Sequence, residues 1–135
     1  MLDRRRFLIA LGALATTSAL GQYNAKPRFS ASPFALGIAS GYPQPSGFVL
    51  WTRLAPLPLA PNGGMAAEVI PVGWEVSRDE AMKNIVAHGT AYATPEWAHS
   101  VHVEVTGLQP ARPHWYRFIA GDALSPVGQI GRAHV

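Results

Sequence analysis

An all-β, two-sheet antiparallel sandwich over residues 34–130 is the fold that three features of this sequence predict. The first is the run Ile70, Val72, Trp74 and Val76, which alternates with Pro71, Gly73, Glu75 and Ser77. Val101, Val103 and Val105 repeat the pattern against Ser100, His102, Glu104 and Thr106. Successive side chains of a strand point to opposite faces, so each run has one apolar face to hide. The third feature is Gly37 to Pro56, in which the turn formers Gly41, Pro43, Pro45 and Gly47 precede the β-branched and aromatic run Phe48-Val49-Leu50-Trp51. There the chain is expected to reverse between about residues 41 and 47 and then enter a core strand.

Taken in order, residues 1–21 are expected to form a leader and residues 22–33 a mobile linker, mixing Gln, Asn, Lys, Pro and Ser without periodicity. Phe34, Leu36 and Ile38 alternate with smaller residues and predict a first strand. The second is Phe48 to Trp51. Residues 55–64 hold three prolines, each of which removes a ladder donor, and so predict an exposed loop. The third strand follows, with Trp74 inward. Ser77 and Glu80 have the spacing of a capping box for a short helical turn through Lys83. A fourth strand, Ile85 to Thr94, is broken by Gly89 and weakly patterned. After the fifth, Gly107-Leu108-Gln109-Pro110 turns the chain into a sixth, in which Tyr116, Phe118 and Ala120 share a face. Val127 to Ile130 predict a seventh. Seven short strands at this spacing point to the immunoglobulin or fibronectin type III kind of sandwich.

The chain has 135 residues, a single-domain length, and 48% of them are hydrophobic, enough to build a core. Of 11 basic and 8 acidic residues, three and one respectively lie in the leader, which leaves a net charge of +1 and no nucleic-acid footprint. Cysteine is absent, so disulfides and thiol chemistry are excluded.

The leader opens Asp3-Arg4-Arg5-Arg6-Phe7-Leu8, continues as an apolar run to Leu20, and ends with Ala19 and Gly21 as small residues two apart. These are the parts of a signal peptide, a segment that is helical when uncleaved but belongs to targeting, with Gly21 as the expected cleavage site. Arg4 and Arg5 followed by Phe7 and Leu8 resemble a twin-arginine signal, so the twin-arginine export machinery is the expected partner and a periplasmic or secreted location the expected address. Phe7 to Leu20 is about 14 residues and a membrane span needs about 20, so no permanent span is expected.

Several stretches together resemble the N-terminal domain of the PhoD-like phosphatases, the alkaline phosphatase D family. They are Gly37-Ile38-Ala39-Ser40-Gly41 with Val49-Leu50-Trp51-Thr52-Arg53-Leu54-Ala55-Pro56, then Trp74-Glu75-Val76 with Asp79, His99 through Val105, Gly107-Leu108 with Pro110, and Trp115-Tyr116-Arg117-Phe118 through Ser125-Pro126-Val127-Gly128. Two departures stand out: Tyr42 occupies a position where the family usually has Asp, and His114 one where it usually has Tyr. The resemblance implies a parent enzyme that hydrolyses phosphate mono- and diesters outside the cytoplasm, using iron and calcium in a larger C-terminal metallophosphatase domain. That domain is not reached here. Residues 131–135 leave the family pattern and read as a tail or truncation, so the chain is expected to be a fragment that is inactive alone.

The residues themselves offer no rival chemistry. His99 and His102 stand three apart on a strand, so their rings diverge, and they are expected as surface and edge histidines. His88 and His134 have no partner at ligand spacing. Asp79 and Glu80, with Glu75 beside them, read as a solvated acidic stretch in a turn, without the burial that acid-base work needs. Trp51 and Trp74 are expected in the core; Trp97 is expected outside, and Trp115 is the fourth indole. No catalytic, cofactor-binding or metal-binding residue is therefore assigned. The alternative to the phosphatase reading is a stand-alone fibronectin-like module that binds carbohydrate or protein.

Overall fold

The computed structural model describes residues 22–110 and 112–130. The described residues form an all-β sandwich of nine strands: β1 (Gln22–Tyr23), β2 (Ile38–Gln44), β3 (Gly47–Arg53), β4 (Glu68–Ser77), β5 (Ile85–Ala93), β6 (Ser100–Val105), β7 (His114–Ala120), β8 (Ala123–Leu124) and β9 (Gly128–Ile130). In the larger sheet β4 pairs antiparallel with both β5 and β7, β7 also receives β8 and β9, and β1 joins the start of β4 in parallel. The smaller sheet is antiparallel, in the order β2-β3-β6.

The alternation in β4, β6 and β7 decides which faces meet. Ile70, Val72 and Val76 of β4 and Phe118 and Ala120 of β7 are fully buried, and Tyr116 nearly so. From the smaller sheet Phe48, Leu50, Val101, Val103 and Val105 meet them in one apolar cluster. Each Val, Leu, Ile or Phe among them contributes about 1.5–3 kcal/mol by leaving water. Burial pushes the Tyr116 phenol above its ordinary value, and hydrogen bonding to the Ser40 side chain opposes it.

Several elements differ from expectation. Phe34 to Gly37 is a turn, closed by the Gly37 N–H on the Phe34 carbonyl at 2.8 Å, and the strand starts only at Ile38. Gly37 takes a left-handed φ of 87°, which ends the apparent alternation and leaves Leu36 exposed while Phe34 is buried. The segment 22–33, expected as a linker, lies along the sandwich: Asn24 N–H donates to the Val69 carbonyl at 2.9 Å, and the Ala55 N–H to the Pro33 carbonyl at 2.8 Å. The proline-rich loop is exposed at Leu57 to Leu59, but Leu54, Ala55 and Pro56 at its start are buried.

β5 is continuous. Gly89 does not break it but lies opposite Trp74, where a Cβ would sit 2.7 Å from the indole ring. The ring spreads over the glycine and stays only partly buried, at the margin of the core. Gly128 and Tyr116 repeat the arrangement between β9 and β7. An aromatic laid over a cross-strand glycine restores the packing that the missing side chain gives up.

The stretch after β4 forms no helix. Its loop is organised by the Asp79 carboxylate, which accepts the Ser77 hydroxyl at 2.6 Å and the backbone N–H groups of Lys83 at 3.2 Å and Asn84 at 2.8 Å. Ser77 thus serves Asp79, and Glu80 closes no capping box. The Ser77 hydroxyl foremost, joined by these amides, lowers the Asp79 pKa below its ordinary 3.8.

Candidate functional surface

The fold scatters the histidine and carboxylate side chains. His99, expected at the surface, is buried: it precedes β6 with a left-handed φ of 58°, and its Nε2 lies 2.7 Å from the Glu68 carbonyl oxygen. That hydrogen bond ties the entrance of β6 to the entrance of β4, which is a structural task. His102 points the other way, exposed on the smaller sheet with its ring 6.4 Å from Trp51. Glu75 is not in a turn beside Asp79 but in the β4 ladder, where its Oε1 accepts Arg117 Nε at 2.8 Å across the sheet. His88 stands opposite Glu75 on β5. Among the described residues no group of three His, Cys, Asp or Glu side chains is placed to hold a metal ion. The targeting residues Arg4, Arg5, Phe7 and Leu8, the cleavage position Gly21, and His134 all lie outside the described residues.

What the fold does assemble is an uncovered face on the smaller sheet. Phe48, Leu50 and Thr52 of β3 turn inward, so Val49, Trp51 and Arg53 turn outward. The register sets Val49 beside Glu104 and Trp51 beside His102 on β6, and beside Gly41 and Ala39 respectively on β2. Trp51 is therefore half-buried on the outside of the sandwich and not in its core. Tyr42 borders this face, 81% exposed, on a left-handed φ of 52° where the β2–β3 register shifts. Between them lies an open cleft of about 540 Å³, lined by Tyr42, Val49, His102 and Glu104 among others. Sequence reading missed this surface because Phe48 to Trp51 is apolar without interruption. The usable signal was on β6, whose clear alternation fixes the parity of its neighbour.

At one end of the sandwich His114 is buried, its ring 6.4 Å from that of Phe48. Burial pushes its pKa below the ordinary 6.5, the Arg78 charge adds to the effect, and a backbone hydrogen bond at Arg112 opposes it.

Residues 17–133 match the family described as "PhoD-like phosphatase, N-terminal domain". The chain belongs to that family. It is 48% identical over 136 residues to alkaline phosphatase D of Bacillus subtilis (strain 168), a match that covers 94% of this chain and 23% of that protein. A solved structure described as "Structure of PhoD" superposes with a TM-score of 0.74 at 54% identity, over 76% of this chain and 20% of that one. The chain therefore spans under a quarter of the length of these relatives. The family match also takes in residues 131–133, beyond the point where the resemblance was expected to stop. Among the described residues, no helix is long and apolar enough to cross a membrane.

Proposed function

We propose that this chain is the non-catalytic N-terminal domain of an exported alkaline phosphatase D, an enzyme that hydrolyses phosphate mono- and diesters. The observation that carries the reading is the family match to an N-terminal domain over most of the chain, combined with its small share of the relative's length. In this reading the metal centre of iron and calcium that the family resemblance implies belongs to the C-terminal metallophosphatase domain. The sandwich, residues 34–130, is a fibronectin-like scaffold with 22–33 as its N-terminal strap, and no step of the hydrolysis is assigned to its side chains. Purified residues 22–135 are expected to leave p-nitrophenyl phosphate and bis(p-nitrophenyl) phosphate uncleaved with added iron and calcium. Turnover that survives repurification and disappears on one His or Asp substitution would refute this.

Export rests on the leader. Arg4 and Arg5 present the paired guanidinium groups of a twin-arginine signal, with Phe7 and Leu8 in the positions that follow. Replacing both arginines by lysine keeps the charge but removes the planar forks, and is expected to hold a reporter fusion in the cytoplasm. A reporter that still reaches the periplasm or medium would assign the leader to the general secretory route.

A further inference from the structure

We propose that the outer face of the β2-β3-β6 sheet is the seat on which the catalytic part of the alkaline phosphatase D polypeptide docks. The inference rests on the domain reading just given. Its first support is β2, in which every residue after Ile38 is exposed. A sheet strand ordinarily hides one of its faces. Among the described residues this one buries only Ile38, in part, and has no strand partner on its far edge, where it bears no charged residue and is interrupted by Pro43 and a register shift.

The second support is the character of the face. Val49 and Trp51 form an apolar centre, the exposed ring of Tyr42 stands at one side, and His102 and Glu104 make a polar border. An apolar centre with a polar border is the anatomy of a protein interface. The outer face of the larger sheet is more nearly self-satisfied: Glu75 and Arg117 neutralise each other at 2.8 Å, and the Tyr92 ring packs tilted against Tyr23 with centroids 6.4 Å apart.

Chain geometry selects the occupant. The cleft shares Gln44, Gly47 and Phe48 with a small pocket that also includes Ile130, the last residue of β9. Polypeptide that continues past β9 thus leaves the sandwich at the end where this face begins. The match takes up 23% of the Bacillus subtilis relative, so most of such a chain lies outside the sandwich. A tethered body of that size meets the nearest uncovered apolar face at high effective concentration.

A chimaera in which this chain replaces the matching stretch of Bacillus subtilis alkaline phosphatase D tests the assignment by hydrogen exchange, against the 135-residue chain alone. The chimaera should hydrolyse p-nitrophenyl phosphate, and the amides of β2 and β3 should exchange at least about tenfold more slowly than in the chain alone, with β5 unchanged. Val49→Lys should remove that extra protection without changing the melting of the chain alone, and Tyr92→Lys on the opposite sheet should leave it in place. An active chimaera protected around Tyr92, or nowhere beyond the chain alone, overturns the docking face and leaves the domain reading standing. A chimaera whose catalytic part folds, while this chain neither joins its unfolding transition nor supports turnover, defeats the domain reading and the docking face together.

Discussion

β3 and β4 are the central strands of the two sheets, each carries a tryptophan, and the two indoles have opposite fates. In β4, Trp74 shares parity with Ile70, Val72 and Val76 and is turned toward the core, lying over Gly89. In β3, Trp51 has the parity of Val49 and Arg53 and faces out, edge-on to His102. Both strands are apolar enough to be buried, but only β4 has small and polar residues on its other parity. A strand with two apolar faces announces that it is central without saying which face is inside, and here a neighbour, β6, settles the question.

Substitutions along the two strands test that difference. Phe118, fully buried opposite Trp74, should cost about 3–5 kcal/mol when replaced by alanine. Trp74→Ala should cost about 2–3 kcal/mol, less than full burial implies, because the ring is only partly covered. Trp51→Ala and Trp97→Ala should each cost under about 1 kcal/mol in the isolated chain, Trp97 being 74% exposed. Urea melts of the four variants give the order directly. Equal losses at Trp51 and Trp74 would erase the distinction between the two faces.

Much of the fold was legible because period two is hard to imitate: the inward sets of β4, β6 and β7 were read correctly from alternation alone. Where the reading failed, a backbone feature invisible to periodicity had intervened. Gly37 turned a three-residue alternation into a turn, a cross-strand aromatic let Gly89 remain in a strand, and Asp79 captured the amides that a helical turn at Ser77 would have used. His99 was expected at the surface although it has the parity of Val101, Val103 and Val105, the buried side of β6, where it lies. The uncovered face could not be read from one strand, since it exists only where β2, β3 and β6 are set side by side.

The two residues noted as departing from the family pattern, His114 on β7 and Tyr42 on β2, each have a measurable cost. His114 is buried with a depressed pKa, so the unfolded chain binds the proton more readily than the folded one, and stability should fall as pH drops below about 6.5. His114→Tyr should gain roughly 1 kcal/mol at neutral pH by restoring a hydroxyl hydrogen bond, and should flatten the slope between pH 5 and about 6.5. Arg78→Gln should also flatten it, by removing the charge that disfavours the imidazolium. Denaturant midpoints at pH 5 and 7.5 decide the matter: an unchanged slope in both variants would mean that His114 titrates normally.

Tyr42 sets the smallest effect, and the one that separates folding from docking. Its φ of 52° lies in the left-handed region, where a Cβ crowds the following carbonyl and where Asp and Asn are several-fold enriched because their short side chains bond locally. The ring repays little of that strain, being 81% exposed. Tyr42→Asp should therefore stabilise the isolated chain by about 0.5 kcal/mol, and Tyr42→Gly, which removes the crowding but loosens the unfolded chain, should gain less. In the chimaera with a catalytic part the same Tyr42→Asp change sets a carboxylate at the border of the docking face, so the protection of β2 should weaken while the isolated chain gains. Paired melts and exchange measurements read both quantities from one variant: a gain in both contexts would free Tyr42 of any part in docking, and a loss in the isolated chain would mean that its exposed ring steadies β2 after all.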